Sequence, residues 1–220
     1  REELAAAYAG HAEHPVGIAL GDTVRRFRLP QDVFLDLLRG VESDLHGETI
    51  ETFADLERYC YRVASTVGLL LVRVLEARHP DTLEYARQMG IAVQLTNVLR
   101  DVREDAAGGR IYLAREDLAR MGVHPASLRD GKMTEEIRLL LALYAERARI
   151  RYESAARLLP AEDRNLLRPA EAMGRIYRTL LDQLHARGYP CLGPALRLSK
   201  PRRLAIAAGA FLGGRAGTPA

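Results

Sequence analysis

Apolar residues recur along most of this chain at intervals of three and four positions, the period of an amphipathic α-helix. The alternation of β-branched and polar residues that indicates strands is almost absent. Proline and glycine interrupt the pattern and separate its segments. We predict helices over residues 16–27, 31–41, 53–77, 81–105, 114–120, 134–159, 169–187 and 200–212. The pattern therefore predicts an all-α fold.

The predicted helix over residues 53–77 differs from an ordinary surface helix. It contains an uncharged run, Val63–Val72 (VASTVGLLLV), which predicts a segment that is buried on all sides. Gly68 within this run would allow a neighbouring helix to approach closely. Thr52 and Asp55 have the spacing of a capping box, so the same helix is expected to begin directly after Thr52.

A stripe of polar residues runs along the predicted helix over residues 81–105. It consists of Gln94, Asn97, Asp101 and Asp105. Their spacing of three or four positions places them on one face, and valine and leucine fill much of the rest. Polar groups on a buried helix must find partners. The stripe ends in two carboxylates one turn apart, which repel each other unless a cation or a proton lies between them.

The paired carboxylates predict a magnesium site. Mg²⁺ is typically bound by one or two carboxylates together with phosphate oxygens and water. Arg100 and Arg110 flank the pair in sequence and can bind phosphate through paired hydrogen bonds. Such groups beside an apolar cavity suit the ionisation of an allylic diphosphate, because they stabilise the leaving group while the cavity excludes water. Solvated ion pairs at a helix end also fit the motif, and its spacing alone leaves both interpretations open.

Composition narrows the classes of function. The 220 residues suffice for one sizeable core, and we predict a single domain over residues 1–220. Lys and Arg total 32 against 29 Asp and Glu, and no basic stripe with interleaved aromatic residues occurs, which argues against a nucleic-acid partner. Cys60 and Cys191 fit no metal or disulfide spacing and predict buried thiols in the reducing cytoplasm. No apolar run is long enough to span a membrane.

Two segments resemble the signatures of the squalene/phytoene synthase family, the head-to-head trans-isoprenyl diphosphate synthases. The first is Tyr59–Gly68 (YCYRVASTVG) and the second is Gly90–Tyr112 (GIAVQLTNVLRDVREDAAGGRIY). The tail, with Ile176–Leu181 (IYRTLL) and Ser199–Arg202 (SKPR), is most similar to bacterial presqualene diphosphate synthases of hopanoid pathways. The resemblance implies an isoprenoid-synthase helical bundle around a central apolar cavity. It also implies the condensation of two farnesyl diphosphates to presqualene diphosphate, with Mg²⁺ as the cofactor.

The resemblance also implies roles for individual residues. Asp101 and Asp105 are expected to bind Mg²⁺ and, with Tyr112, to take part in catalysis. The residues expected to contact the diphosphates or to line the prenyl channel are Tyr59, Val63, Gln94, Asn97, Arg100, Arg110, Tyr177, Lys200 and Arg202. The tyrosines also fit plain core packing, and Lys200 and Arg202 also fit a solvated surface.

The C-terminal segment Lys200–Leu212 (KPRRLAIAAGAFL) is basic and then apolar. It fits a final helix packed on the core, and it also fits contact with an anionic membrane surface, which would help to release an apolar product. We therefore expect a cytoplasmic protein, with peripheral contact at the inner face of the plasma membrane as the further hypothesis.

The chain departs from the family pattern in several places. Ala114 stands where the family usually has proline, so the loop that carries Tyr112 is expected to be less rigid, and Val98 replaces a bulkier apolar residue. The family's first aspartate-rich motif has no counterpart between Arg1 and Asp55. Five carboxylates of this region are expected to be solvated; they are Asp22, Asp32, Asp36, Glu42 and Asp44. Since the chain also lacks an initial Met, we expect a longer protein to carry the missing motif and these 220 residues alone to be inactive.

Two alternatives remain open. One is another product of the same family, either phytoene from geranylgeranyl diphosphate or dehydrosqualene or squalene, because cavity depth sets the chain length. The lack of a GxGxxG motif favours a product formed without NADPH. The other alternative is a non-catalytic family member that acts as a scaffold. The missing motif supports it, whereas the stripe of amides that leads to paired carboxylates opposes it.

Overall fold

The computed structural model describes residues 1–212, and within that range it contains helices and loops but no strand. Its α-helices are α1 (Glu2–Ala9), α2 (Pro15–Phe27), α3 (Gln31–His46), α4 (Phe53–Cys60), α5 (Thr66–Val74), α6 (Asp81–Arg100), α7 (Val102–Ala107), α8 (Arg115–Arg120), α9 (Glu135–Leu158), α10 (Arg168–Ala186) and α11 (Lys200–Leu212). A π-helical turn, Tyr61–Ser65, joins α4 to α5, and a 3₁₀ turn, Pro125–Leu128, follows α8. The predicted all-α fold is confirmed. The prediction of one domain over residues 1–220 includes residues 213–220, which lie outside the described residues.

Helix α6 lies at the centre of the fold. It packs most extensively against α9, while α5, the π-helical turn and α10 cover its other sides. The core around α6 and α9 is formed by fully buried side chains that include Leu95, Leu99, Leu140, Leu141 and Tyr144. Close packing of this kind holds side chains in single conformations. Helix α6 is therefore a rigid support for the polar stripe on its other face.

The helix predicted over residues 53–77 begins as predicted but is not continuous. The Thr52 hydroxyl accepts a hydrogen bond from the Asp55 amide at 3.2 Å, and the Asp55 carboxylate accepts one from the Thr52 amide at 2.9 Å. These two bonds confirm the capping box. The π-helical turn Tyr61–Ser65 then interrupts the α-helical hydrogen bonding. Turns of this type inside helices are frequent at functional sites.

The prediction that Val63–Val72 is buried on all sides is wrong. Val67 is 51% exposed, whereas Val72, at the other end of the same segment, is 2% exposed. The exposed side of α5 belongs to an apolar groove between α5, α6 and α10. The uncharged residues of this segment therefore line a cavity as well as filling the core.

The π-helical turn and α5 approach α6 closely through glycines on both sides. A Cβ atom at Gly90 of α6 would lie 2.5 Å from Cα of Ser65, and one at Gly68 of α5 would lie 3.1 Å from the Ala86 carbonyl oxygen. A side chain at Gly90 would therefore overlap the opposing backbone. The predicted role of Gly68 in close helix packing is confirmed.

Other helix boundaries also differ from the prediction. Helix α1 was not predicted, because its short alanine-rich sequence carries little periodic signal. Helix α3 extends to His46, more than one turn beyond the predicted end at residue 41. The helix predicted over residues 81–105 breaks at Asp101, whose φ of −104° and ψ of 10° are not helical, and continues as α7.

No helix within residues 1–212 combines the length and the apolar character needed to cross a bilayer. Cys60 and Cys191 are buried and free, as predicted. Helix α11 forms over the predicted residues and packs against α10, yet Leu204 is 71% exposed and Leu212 is 68% exposed. Part of the apolar surface of α11 is therefore not covered by the described residues.

Candidate functional site

The polar stripe lies along α6 and ends at the break between α6 and α7. Gln94 and Asn97 are half-buried, and the Asn97 side-chain nitrogen donates to the Gln94 side-chain oxygen at 3.4 Å. The Oδ1 atom of Asn97 is buried and has no hydrogen-bond partner among the described residues. A buried acceptor without a partner is destabilising. Asn97 Oδ1 is therefore a suitable contact for a bound cation or for a hydrogen-bond donor.

The carboxylate of Asp101 is paired with its neighbour in sequence. Arg100 donates from Nε to Asp101 Oδ1 at 2.7 Å and from Nη2 to Oδ2, and the hydrogen bonding raises the pKa of Arg100. The two side chains are 25% and 21% exposed, so they lie at the edge of the core. A guanidinium group binds phosphate with the same two-pronged geometry. Arg100 can therefore exchange Asp101 for a diphosphate without leaving its position.

Asp105 occupies an environment that opposes its charge. Burial, and then the negative charges of Asp101 and Glu104, raise the pKa of the Asp105 carboxyl to about 6 from its ordinary 3.8, with a smaller contribution from Asp44. A divalent cation between Asp101 and Asp105 would remove this repulsion. The electrostatics of the helix break are therefore those of a site that favours a cation.

A second cluster, which we call the Asp44 cluster, consists of Asp44, Tyr59, Arg110 and Tyr112. Asp44 Oδ1 accepts from the Tyr112 hydroxyl at 2.8 Å and from Arg110 Nη2 at 3.0 Å. Asp44 Oδ2 accepts from the Tyr59 hydroxyl at 3.0 Å. The rings of Tyr59 and Tyr112 stack with their centroids 4.9 Å apart. One carboxylate on α3 thus holds together one tyrosine from each signature segment.

The position of Asp44 contradicts the prediction that it is solvated. Helix α3 continues past residue 41, which places Asp44 within the helix and directs it towards the loop between α7 and α8. No local sequence pattern marks this residue, because its partners lie 15 to 68 positions away. Asp44 therefore belongs to the candidate site, although the residues around it in sequence predicted a solvated side chain.

The Asp44 cluster adjoins the acidic end of the stripe. Asp105, Arg110 and Tyr112 line one small cavity. The Arg110 guanidinium lies 5.0 Å from the centre of the Tyr112 ring, and its Nε atom is buried without a hydrogen-bond partner among the described residues. Burial raises the pKa of Tyr112, so its hydroxyl remains neutral and able to donate. Because the Tyr112 proton is already donated to Asp44, the Nε–H of Arg110, which has no partner within residues 1–212, is the donor that suits an acceptor such as a phosphate oxygen.

An apolar groove of about 210 Å³ lies between α5, α6 and α10. Its walls are almost entirely hydrocarbon, and they include Val63, Val67, Leu71, Met89, Val93 and Met173. Val63 therefore lines an apolar groove, and its contact with a prenyl chain stays a prediction. The groove borders α6 from Tyr85 to Val93, and the acidic pair lies past the carboxyl end of that helix, with Asp101 as its C-terminal cap and Asp105 in α7.

A separate cavity of about 600 Å³ lies between the end of α6, α10 and the start of α11. Tyr177 lies here, beside Arg100, rather than in the groove that contains Val63. Three further cations line this cavity; they are Arg197, Lys200 and Arg203. Arg202 is exposed and is not among the lining residues, whereas its neighbour Arg203 is. In α11 it is therefore Arg203, and not Arg202, that lines this cavity.

The fit of Mg²⁺ to this site rests on the available donors. Within residues 1–212, no group of three or more His, Cys, Asp or Glu side chains is arranged to hold a metal ion. Mg²⁺ often binds through one or two carboxylates and completes its shell with phosphate oxygens and water. Asp105, Asp101 and the unpartnered Asn97 Oδ1 fit that mode. The donor set therefore suits a magnesium ion that binds together with a diphosphate.

The family model for squalene/phytoene synthase matches residues 1–204 of the chain. Over 201 residues the chain is 38% identical to a phytoene synthase of Arthrospira platensis, an alignment that covers 86% of this chain and 65% of that protein. It is 36% identical over 205 residues to a chloroplastic phytoene synthase of Narcissus pseudonarcissus, covering 90% of this chain and 48% of that protein. The chain therefore spans between about half and two thirds of these curated relatives.

Solved structures show the same likeness. A crystal structure of a dehydrosqualene synthase in complex with ligand superposes with a TM-score of 0.82 at 32% identity, covering 95% of this chain and 74% of that chain. The squalene synthase HpnC from Alicyclobacillus acidocaldarius superposes with a TM-score of 0.78 at 29% identity, covering 86% of this chain and 72% of that chain. The predicted isoprenoid-synthase fold is thereby confirmed.

Proposed function

The chain belongs to the squalene/phytoene synthase family, and we propose that it forms one wall of a magnesium–diphosphate site for the head-to-head joining of two prenyl diphosphates. The members of this family are head-to-head prenyltransferases. One observation carries the proposal for this chain. Helix α6 borders an apolar groove from Tyr85 to Val93 and ends at Asp101, and Asp105 follows one turn further on, in α7.

The chemistry of the proposed reaction assigns tasks to these groups. Asp101 and Asp105 would hold Mg²⁺, which would neutralise the charge of the departing diphosphate. Arg100 and Arg110 would bind the diphosphate oxygens. The groove beside Val63 would hold the prenyl chain and exclude water from the allylic cation.

We propose farnesyl diphosphate as the substrate and presqualene diphosphate as the product. In this reaction one farnesyl diphosphate loses inorganic diphosphate, two new carbon–carbon bonds close a cyclopropane, and one proton leaves. The similarity to the squalene synthase HpnC supports this choice. Relatives named phytoene synthase instead favour geranylgeranyl diphosphate and phytoene, which is the alternative.

The described residues offer one acidic wall of the proposed site. Two of the carboxylates between Arg1 and Asp55 already have partners. Asp22 forms an ion pair with Arg25, and Asp44 accepts the hydrogen bonds of the Asp44 cluster. We therefore retain the proposal that a second acidic motif must face Asp101 and Asp105, and that these 220 residues alone are inactive. A scaffold without catalytic function remains the second candidate, favoured only by the lack of that motif.

A product assay tests this proposal. Farnesyl and geranylgeranyl diphosphates are supplied in parallel with Mg²⁺, and the products are identified by mass. We expect presqualene diphosphate from a polypeptide that joins this chain to an upstream acidic motif, and loss of the product when EDTA removes the metal. Phytoene would favour the alternative substrate, and turnover by the 220 residues alone would contradict the half-site. No product from the longer polypeptide would favour the scaffold.

We also propose that α11 contacts an anionic membrane surface. From Gln183 to Ala220 the sequence contains no Asp or Glu, while its cations are Arg187, Arg197, Lys200, Arg202, Arg203 and Arg215. Leu204 and Phe211 are seven positions apart, on one face of α11, and they are 71% and 46% exposed. Basic residues next to exposed apolar ones suit a bilayer with anionic headgroups.

Vesicle sedimentation tests the membrane contact. With vesicles that contain phosphatidylglycerol we expect Leu204→Asp and Phe211→Asp to weaken binding at least about tenfold, because each removes apolar area from the bilayer. Leu45→Asp on α3, where Leu45 is 80% exposed, is the matched control and should bind normally. Equal losses in all three variants, or equal binding to neutral vesicles, would contradict the proposal.

A further inference from the structure

The loop between α7 and α8 presents Arg110 and Tyr112, and it is anchored at both ends. At its first end these two side chains bind Asp44 of α3. At its second end the Ala114 amide, just before α8, donates a hydrogen bond to the Tyr144 hydroxyl at 2.7 Å. Tyr144 lies on α9 and is fully buried. The second anchor therefore ties the loop to the helix that packs most extensively on α6.

The Tyr144 hydroxyl has a fixed orientation. It donates to Asp117 Oδ2 at 3.0 Å while it accepts from the Ala114 amide. Because its one proton points at Asp117, its lone pairs are available to Ala114. The hydroxyl thus joins Ala114 and Asp117, the residue just before α8 and a residue in its first turn.

Asp117 is a buried charge with strong partners. Its side chain is 1% exposed, and it accepts hydrogen bonds from Arg147 and Arg120 in addition to Tyr144. Burial alone would raise the pKa of Asp117, but the bonds from Arg147 and Tyr144 bring it below its ordinary value. The Arg147 guanidinium also lies 3.8 Å from the centre of the Phe53 ring. Hydrogen bonds to a buried charge are stronger than neutral ones, so this anchor is firm.

Ala114 has a backbone conformation that proline could also adopt, with φ of −60° and ψ of 136°. Proline would fix that angle but would have no N–H to donate. In this chain the Ala114 amide is present and donates a hydrogen bond to the Tyr144 hydroxyl. The expectation that Ala114 makes the loop less rigid therefore omits the hydrogen bond to Tyr144.

We propose that Tyr144 is a positioning residue, whose hydroxyl, directed by Asp117, fixes the start of α8 and thereby the loop that presents Arg110 and Tyr112. The benefit to diphosphate binding rests on the proposed function. The anchoring of the loop itself does not, since it follows from contacts within the chain. Tyr144 does not touch the site and acts through its hydrogen bonds with Ala114 and Asp117.

Tyr144→Phe tests the proposal, because it keeps the ring and removes only the hydroxyl. We expect hydrogen exchange at the end of the loop, measured at the Arg115 and Glu116 amides that donate to the Ile50 and Glu51 carbonyls, to accelerate about tenfold. The affinity for inorganic diphosphate with Mg²⁺ should fall by a similar factor. Tyr152→Phe is the matched control on the same helix. Tyr152 is 2% exposed, and its hydroxyl pairs with the Thr96 hydroxyl at 3.0 Å. It should lower Tm comparably and leave the loop unchanged.

A double-mutant cycle separates positioning from general destabilisation. Ala114→Pro removes the amide that donates to the Tyr144 hydroxyl. Tyr144→Phe should therefore accelerate loop exchange much less in the Ala114→Pro variant than in the unaltered chain. Unchanged loop exchange in Tyr144→Phe, equal acceleration in Tyr152→Phe, or additive effects in the cycle would each overturn the proposal. If a polypeptide that carries both acidic walls does not bind diphosphate with Mg²⁺, the proposed function fails, while the exchange comparison still decides the role of Tyr144.

Discussion

Asp105→Asn is expected to reduce the rate of product formation about a thousandfold in a polypeptide that contains both acidic walls. The amide keeps the shape of the side chain but cannot provide the negative charge that the cation requires. The measurement is kcat/KM with saturating Mg²⁺. Asp81→Asn at the other end of α6 is the matched control, since Asp81 is exposed and should change the rate by less than about twofold. A rate within about tenfold of the unaltered protein would contradict the role of Asp105.

The same substitution should stabilise the metal-free protein. The pKa of Asp105 is raised from 3.8 to about 6 in the folded chain, so the folded state binds the proton more tightly than the unfolded state. The stabilisation of the folded state that comes from the protonated Asp105 carboxyl is present below pH 4 and is lost as the pH rises through 6. At pH 7.5 with EDTA, Asp105→Asn should therefore raise the free energy of unfolding by about 1 kcal/mol, after allowance for solvent screening. At pH 4 the difference should vanish, and an equal difference at both pH values would show that repulsion is not its cause.

Gly90→Ala should lower the free energy of unfolding by about 3 kcal/mol and Tm by about 10 °C. The added Cβ would lie 2.5 Å from Cα of Ser65 and 2.6 Å from its backbone nitrogen. Backbone atoms cannot move aside as the end of a flexible side chain can. The π-helical turn and α6 must therefore separate along the line where the apolar groove begins. Thermal unfolding measures the effect.

Gly209→Ala is the matched control for this prediction. Gly209 is also within a helix, α11, but no atom lies within 4 Å of the position of its Cβ. Alanine there should raise stability by about 0.5 to 1 kcal/mol, because glycine loses more backbone freedom on helix formation. Opposite signs at the two sites are the expected result. A stability loss at Gly90 no greater than 0.5 kcal/mol would show that the helices can adjust at no significant cost.

The parts of the fold that local pattern determines were predicted from the sequence. Helical periodicity located most helices, and the spacing of Thr52 and Asp55 gave the capping box. The polar stripe could also be predicted, because Gln94, Asn97 and the two carboxylates that follow are each about one helix turn from the next. These features depend on residues a few positions apart, whose geometry within a helix is nearly constant.

The parts that depend on distant residues were not predicted. Asp44 acquires its importance from Tyr59, Arg110 and Tyr112, and no spacing rule connects α3 with the loop after α7. The π-helical turn and the break at Asp101 contain neither proline nor glycine, so no residue of the type that usually interrupts a helix marks them in the sequence. The exposure of Val67 could not be inferred from an uncharged run, because a cavity wall and a buried core have the same composition.

The pairing of Arg100 with Asp101 has a consequence for the order of ligand binding. While the guanidinium occupies both oxygens of the carboxylate, Mg²⁺ must compete with an internal cation. A diphosphate offers Arg100 another partner and so frees Asp101. Metal and diphosphate should therefore bind with positive thermodynamic linkage, each increasing the affinity for the other by the same factor. An internal ion pair of this kind would make the resting protein insensitive to free Mg²⁺ and responsive to the metal–substrate complex.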